Sequence, residues 1–171
     1  MTQKTTITLF LAVLFAAGII ACNNQEERSY DEPAGPGGWL DGDIQEKFDR
    51  LAAQHQGFSR AMQEVGYRYT EMYFAGKEEN WELATYHGEK IVDAMELGFE
   101  RRPDREASAE TFINETMPQM LEVFENENEE AFEKNFKMVK RECNTCHGKE
   151  EVAFINVKTP EQRLAPVGWE E

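Results

Sequence analysis

The fold class of the chain is indicated most clearly by residues 129–147, which read EEAFEKNFKMVKRECNTCH. Apolar side chains recur there at spacings of four and three, at Phe132, Phe136, Val139, Cys143 and Cys146. This period is typical of one buried face of an α-helix, whereas a half-buried strand would alternate at every second residue. The stretch therefore predicts a helix that packs against other helices and carries two cysteines near its end.

Three more segments have the same period. The first is predicted to be one long helix. The residues of its packed face are Ile44, Phe48, Leu51, His55, Phe58, Met62, Val65, Tyr69 and Met72. The second covers about 81–101 and ends before Pro103. The third begins near Ser108, and Pro118 within it should kink or split the helix. Together they predict an all-α fold, an antiparallel up-down-up-down four-helix bundle.

The N-terminus has the features of an export signal. Lys4 precedes an apolar run of 15 residues at 7–21, too short for a membrane-spanning helix of about 20 residues. The run ends Ile19-Ile20-Ala21-Cys22, which resembles a bacterial lipoprotein signal in which Cys22 is acylated. The alternative is a plain signal peptide in which Cys22 is incidental. The lipoprotein interpretation predicts a periplasmic protein anchored to a bacterial membrane.

Composition limits the domain organisation and the partners. The chain has 171 residues, 33 acidic and 18 basic side chains, and a formal net charge of −15, which argues against a nucleic-acid partner. An aromatic content of 11% argues against a disordered acidic chain. The predicted organisation is a signal peptide, a flexible acidic linker, a four-helix domain and a C-terminal extension, at 1–21, 22–38, 39–150 and 151–171.

The run Cys143-Asn144-Thr145-Cys146-His147 is the attachment signature of c-type haem. Two thiols three residues apart lie on one helix face, and each can add across a vinyl group of haem. The adjacent histidine then directs an imidazole nitrogen at the iron. The sequence therefore predicts one covalent haem c per chain, bound through Cys143 and Cys146 with His147 as an iron ligand.

Other uses of the two cysteines fit the sequence less well. A thioredoxin-like pair needs a strand-turn-helix context, whereas these cysteines lie at the end of a helix. A structural zinc site needs four ligands, and only His55 and His87 are present to complete one. A disulfide within one helical turn would stabilise almost nothing.

A four-helix bundle with this motif on its last helix resembles the class II c-type cytochromes, which include cytochrome c-prime and its Met-ligated relatives. The resemblance covers roughly residues 41–150, and its only sharp motif is the pentapeptide. The chain departs from the family in its acylated leader and in a C-terminal extension of 24 residues after His147. The resemblance implies a second iron-facing position on the first helix, and a Met there in the six-coordinate members.

In an antiparallel bundle, counting back along the first helix brings His55, Phe58 and Met62 to the level of His147. Met62 is the predicted second iron ligand, which gives a low-spin haem suited to electron transfer. Ligation by His55 would instead lower the potential, and Phe58 in that space would leave a five-coordinate iron able to bind NO or CO. Arg60, Arg68 and Arg141 are candidate partners for the haem propionates, whereas single arginines on acidic helices are more often solvated.

The extension after His147 begins with four apolar residues, Val152, Phe154, Ile155 and Val157. Residues 152–157 are predicted to fold back over the haem edge or a groove of the bundle, with 161–171 held more loosely. The alternative is a frayed terminus.

The sequence therefore predicts a non-enzymatic protein, a monohaem cytochrome that carries single electrons between membrane-associated redox proteins. Its acidic surface would steer it to a basic docking patch on those proteins, and the lipid on Cys22 would hold it at the bilayer. A homodimer is also possible by analogy with the family. The alternative function is a five-coordinate haem protein that binds NO or CO.

Overall fold

The computed structural model describes residues 30–166 and 168. The predicted signal peptide at 1–21, Cys22 and the start of the linker lie outside the described residues. The chain divides into two compact units, Met1–Gln54 and His55–Glu171, and each is described by itself. Within the described part, none of the helices is both long enough and apolar enough to cross a membrane.

The first unit contains helix α1, Ile44–Gln54. Before it, the turn Pro36–Gly38 is closed by two backbone hydrogen bonds between Ala34 and Leu40, with N···O distances of 2.8 and 3.0 Å. The apolar positions of α1, Ile44, Phe48 and Leu51, are exposed.

The second unit begins with a turn at 55–57, and helix α2 covers Phe58–Lys77. The prediction of one continuous helix from Ile44 to Met72 is therefore wrong. Gln56 has a φ of 58°, in the left-handed region that a right-handed helix does not use, and Gly57, a poor helix former, follows it. Apolar spacing continues across the turn because side-chain periodicity does not report the backbone dihedral angles of individual residues.

Four helical segments build the second unit. After α2, helix α3 covers Trp81–Arg101, and α6 covers Glu129–Lys149. The segment between them consists of α4 (Glu106–Thr111), a π-helical turn (Phe112–Thr116) and α5 (Met117–Glu125). Helices α3 and α6 each begin after an asparagine whose side chain accepts a backbone N–H three residues later. The fold is all-helical and is consistent with a four-helix bundle.

The predicted interruption near Pro118 is confirmed. Pro118 is the second residue of α5, directly after the π-helical turn Phe112–Thr116. Proline has no backbone N–H, and its ring collides with the carbonyl of the residue four positions earlier, here Asn114. A local change to wider helical turns accommodates both effects.

The core of the second unit lies between these segments. Its largest fully buried apolar side chains are Met72, Ile91, Met117, Met120, Phe124, Phe136 and Val139. Close packing of helices depends on glycines at the contacts. A Cβ atom at Gly76 would overlap the ring of Phe132, and one at Gly98 would lie 2.8 Å from the ring of Phe58. Helix α2 therefore lies tightly against both α3 and α6.

Candidate functional site

A cavity of about 490 Å³ lies within the second unit, in the size range of small-molecule and cofactor sites. Residues of α2, α3, the π-helical turn, α6 and the C-terminal segment line it. The lining is mostly apolar, with Val65 and Tyr69 from α2 and Phe112 from the π-helical turn. Gly66 also lines the cavity, and an added Cβ there would meet no atom within 4 Å. The space therefore suits an apolar group of cofactor size.

All three residues of the predicted attachment motif line this cavity. Cys143, Cys146 and His147 lie in the last two turns of α6. Neither cysteine is in a disulfide. Burial, with a smaller contribution from the neighbouring Cys146, raises the pKa of the Cys143 thiol to about 12, and burial also raises the pKa of Cys146. Both side chains are therefore neutral thiols at neutral pH.

The imidazole of His147 is fixed by the C-terminal segment. Its Nδ1 lies 2.6 Å from the carbonyl oxygen of Ile155. A carbonyl oxygen only accepts hydrogen bonds, so we assign the proton to Nδ1, which donates it. The lone pair is then on Nε2, the nitrogen that is left to bind a metal.

Helix α2 contributes two of the three residues predicted to face His147. Phe58 and Met62 both line the cavity, and Phe58 stacks on Phe99 of α3 at 5.6 Å between ring centroids. His55 lies in the turn before α2, is exposed and does not line the cavity. Of the predicted residues, the structure therefore brings Phe58 and Met62 together with Cys143, Cys146 and His147 and leaves His55 outside.

The start of the extension folds back over a groove of the bundle, as predicted. Val152, Ile155 and Val157 line the cavity. Asn144, between the two cysteines, accepts a hydrogen bond from the Val157 backbone N–H at 2.8 Å and donates one to its carbonyl at 3.0 Å. The extension therefore forms part of the cavity wall.

The prediction that residues 161–171 are held loosely is wrong for residues 163–165. Glu71 is fully buried on α2, and its Oε1 accepts hydrogen bonds from the backbone N–H groups of Leu164 at 2.9 Å and Ala165 at 3.0 Å. Arg163 pairs with Glu78 at 2.9 Å. No periodic pattern marks these contacts, because two of the three use backbone donors.

The propionate partners expected from the sequence do not line the cavity. Arg60 binds Gln63 at 2.8 Å, Arg68 binds Glu64 at 2.7 Å, and Arg141 contacts its neighbour on α6. All three side chains are thus engaged elsewhere on the helices.

Arg105 and Glu150 line the cavity instead and form an ion pair with each other. Arg105 belongs to the short turn Pro103–Arg105, which has no periodicity that would have pointed to it. Met95 on α3 is a second methionine in the lining.

His87 does not line the cavity. It is 2% exposed on α3, and its Nδ1 lies 3.3 Å from Arg68. Burial, together with the positive charge of Arg68, lowers the pKa of His87.

Comparisons with protein-family models, curated proteins and solved structures give no match to this chain. Within residues 30–166 and 168, no group of three or more His, Cys, Asp or Glu side chains could hold a metal ion.

Proposed function

We propose that this chain is a monohaem c-type cytochrome that carries single electrons in the periplasm and is anchored to a bacterial membrane through a lipid on Cys22. One observation carries the proposal. Cys143, Cys146 and His147 line a single apolar cavity together with Met62, and the hydrogen bond from Nδ1 of His147 to the Ile155 carbonyl leaves Nε2 to bind a metal. Two thiols, one metal-binding imidazole and an apolar space are what covalent haem requires.

The proposal includes an antiparallel up-down-up-down order for the four helical segments. Phe58 at the start of α2 packs on Gly98 near the end of α3, and Met72 packs on Gly88 near the middle of α3. Gly76 at the end of α2 packs on Phe132 at the start of α6. The first and last of these contacts each join the end of one helix to the beginning of another, and that pattern supports this order.

Haem would supply a one-electron iron couple at the site, and the chain would set its surroundings. Cys143 and Cys146 would hold the porphyrin through thioethers, and Nε2 of His147 would bind the iron. The apolar lining from Val65, Phe112 and the C-terminal segment would keep water away, which raises the reduction potential. Arg105 is the only arginine or lysine among the described lining residues, so it is the side chain that would pair with a propionate, in exchange for its ion pair with Glu150.

The attachment test uses the full chain expressed in a bacterium that has a cytochrome c maturation system. Covalent haem is expected to survive a denaturing gel and to appear in the mass of the wild-type protein. Cys143→Ala with Cys146→Ala should abolish it, whereas Thr145→Ala is the matched control, since the Thr145 hydroxyl bonds only within α6. A wild-type protein that lacks the added mass would refute the proposal.

The second iron ligand is tested by the absorption spectrum of the ferric protein. Ligation by the Met62 sulfur gives a weak band at the red edge, and Met62→Leu should abolish it at nearly constant side-chain volume. Met95→Leu is the matched control, because Met95 lines the same cavity from α3. A high-spin spectrum of the unmodified protein would favour the alternative function, a five-coordinate haem that binds NO or CO beside Phe58.

The anchor lies outside the described residues and has its own test. The Cys22→Ala variant is expected to move from the membrane fraction to the soluble periplasmic fraction with its haem retained. A wild-type protein that is already soluble would refute the lipid anchor and leave the haem proposal intact.

A further inference from the structure

We propose that the C-terminal segment 152–165 is a positioning element for His147: it holds the Ile155 carbonyl oxygen against the imidazole and makes the ring a stronger electron donor to iron. The inference rests on the proposed function, because it concerns the haem iron that His147 would bind. It assigns a role to the part of the chain that departs from the class II cytochromes.

The segment turns back immediately after α6. Glu151 has a φ of 61°, in the left-handed region, so the chain reverses there. The backbone N–H of Val152 then donates to the carbonyl of His147 at 2.9 Å, and that of Ile155 donates to Val152 at 2.8 Å. This tight turn brings the Ile155 carbonyl to 2.6 Å from Nδ1 of His147.

Asn144 fastens the segment to the attachment motif itself. Its amide makes two hydrogen bonds with the backbone of Val157, and its Nδ2 also donates to the carbonyl of Lys140 at 3.0 Å. Thr145, the other residue between the cysteines, donates only to Arg141 within α6. The two inner positions of the motif therefore have different roles, and only Asn144 reaches the segment.

Further contacts hold the rest of the segment against the bundle. The Tyr69 hydroxyl donates to the Lys158 carbonyl at 3.1 Å, and the Lys140 ammonium donates to Thr159 at 3.0 Å. Buried Glu71 holds the two backbone N–H groups at 164 and 165. With attachments on both α2 and α6, the Ile155 carbonyl is held in place and does not have to be ordered when iron binds.

The expected effect on the iron has a definite sign. A histidine ligand whose other N–H donates to a carbonyl is a stronger base, and it favours ferric over ferrous iron. Loss of such a partner changes metal affinity by about 10-fold or more. If that factor is about 10 between the two oxidation states, the midpoint potential rises by about 59 mV for a one-electron couple. Loss of apolar cover acts in the opposite direction, because water stabilises the more highly charged ferric state.

The experiment compares four variants of the full-length, haem-loaded protein by redox titration. Asn144→Ala removes both contacts to Val157, and Val157→Pro removes the Val157 N–H from outside the attachment motif. Thr145→Ala is the matched control within the motif. Ile155→Ala keeps the backbone carbonyl and removes only apolar cover. Amide exchange at Val157 in Asn144→Ala reports separately that the segment is released.

Asn144→Ala and Val157→Pro are both expected to raise the potential, Thr145→Ala to leave it unchanged, and Ile155→Ala to leave or lower it. An unchanged or lowered potential in the first two variants, with faster exchange at Val157 in Asn144→Ala, would overturn the inference. If Asn144→Ala does not acquire haem, Val157→Pro decides the question alone. Absence of covalent haem from the wild-type chain overturns the proposed function and this inference with it, whereas haem with an unmoved potential overturns only the inference.

Discussion

Glu71 is expected to hold the C-terminal segment on the bundle, and Glu71→Ala to lower the free energy of unfolding by about 2–3 kcal/mol. The carboxylate has no exposed surface, and its Oε1 accepts two backbone hydrogen bonds, at 2.9 Å from Leu164 and 3.0 Å from Ala165. A hydrogen bond to a charged group contributes about 1.5–3 kcal/mol. Two such bonds at the lower limit give about 3 kcal/mol, which is the upper end of the expected loss of stability.

Two features of the site make the expected loss of stability in Glu71→Ala smaller than the sum of two hydrogen bonds of the highest strength. Leu164 is 59% exposed, so its freed N–H can bond to water once the carboxylate is gone. Removing Glu71 also removes the cost of keeping a carboxylate away from water. Two bonds at the lower limit give about 3 kcal/mol, and the second effect reduces this slightly. Arg163, whose Nη1 lies 3.8 Å from Oε2 of Glu71, keeps a partner in the variant, since it still pairs with Glu78 at 2.9 Å.

The measurement is urea unfolding followed by far-ultraviolet circular dichroism, with each variant in the same haem-loading state. Glu71→Gln keeps an acceptor oxygen and loses the charge, so about half of the alanine effect is expected. Glu78→Gln is the matched control, because its side chain is 42% exposed and exposed ion pairs contribute at most about 1 kcal/mol. The slope of the free energy against urea should not change, since the surface exposed on unfolding is nearly the same.

If Glu71→Ala and Glu78→Gln both lie within about 0.5 kcal/mol of the wild type, Glu71 does not hold the segment. A double-mutant cycle with Leu164→Pro, which removes one of the two donors, sharpens the result. The two changes should couple by about 0.5 kcal/mol or more, and simple additivity would contradict a direct bond.

Two further predictions concern packing and pH. Gly76→Ala is expected to cost about 1–3 kcal/mol because the new Cβ would overlap the Phe132 ring, whereas Gly66→Ala, with open space beside it, should stabilise the haem-free chain by about 0.5–1 kcal/mol. Urea curves check both signs, and equal shifts would contradict the packing. The pKa of His87 is lowered by burial and by Arg68, so its contribution to stability is present above about pH 6.5 and is lost as the pH falls. The free energy of unfolding should therefore be measured from pH 5 to 8 for the wild type and His87→Gln. The two curves should converge or cross at the acidic end, and parallel curves would contradict a lowered pKa of His87.

The helices with clear boundary residues could be predicted from sequence. Helix α6 was expected at about 129–147 and covers Glu129–Lys149, and α3 was expected and found at 81–101. In both, an asparagine cap precedes a continuous apolar face, so local preference and packing agree. The turn at 55–57 could not be predicted in this way. Its cause is the backbone conformation of Gln56, to which apolar spacing is insensitive.

In the candidate site, too, local sequence features could be predicted and contacts between distant residues could not. Cys143, Cys146 and His147 were found because their spacing is local and independent of the rest of the fold. Arg105 was missed because it reaches the cavity from a three-residue turn, and its partner is distant in sequence. Contacts in which a side chain binds a distant backbone group, such as Asn144 with Val157, have no sequence signature at all.

The position of the cysteines within α6 distinguishes two chemistries that share the Cys-x-x-Cys spacing. A redox-active pair needs a stabilised thiolate, and such pairs lie where a helix N-terminus or a cation lowers the thiol pKa. Here both cysteines lie in the last turns of a helix, where the partial negative charge of the C-terminus disfavours a thiolate. Burial acts in the same direction: it raises the pKa of Cys143 to about 12, and at Cys146 it outweighs the positive charges of Lys149 and Arg105, which lower the pKa. The pair is thus poorly suited to thiol–disulfide exchange but retains neutral S–H groups facing an apolar cavity, which is the state in which a thiol adds to a carbon–carbon double bond without a net change of charge.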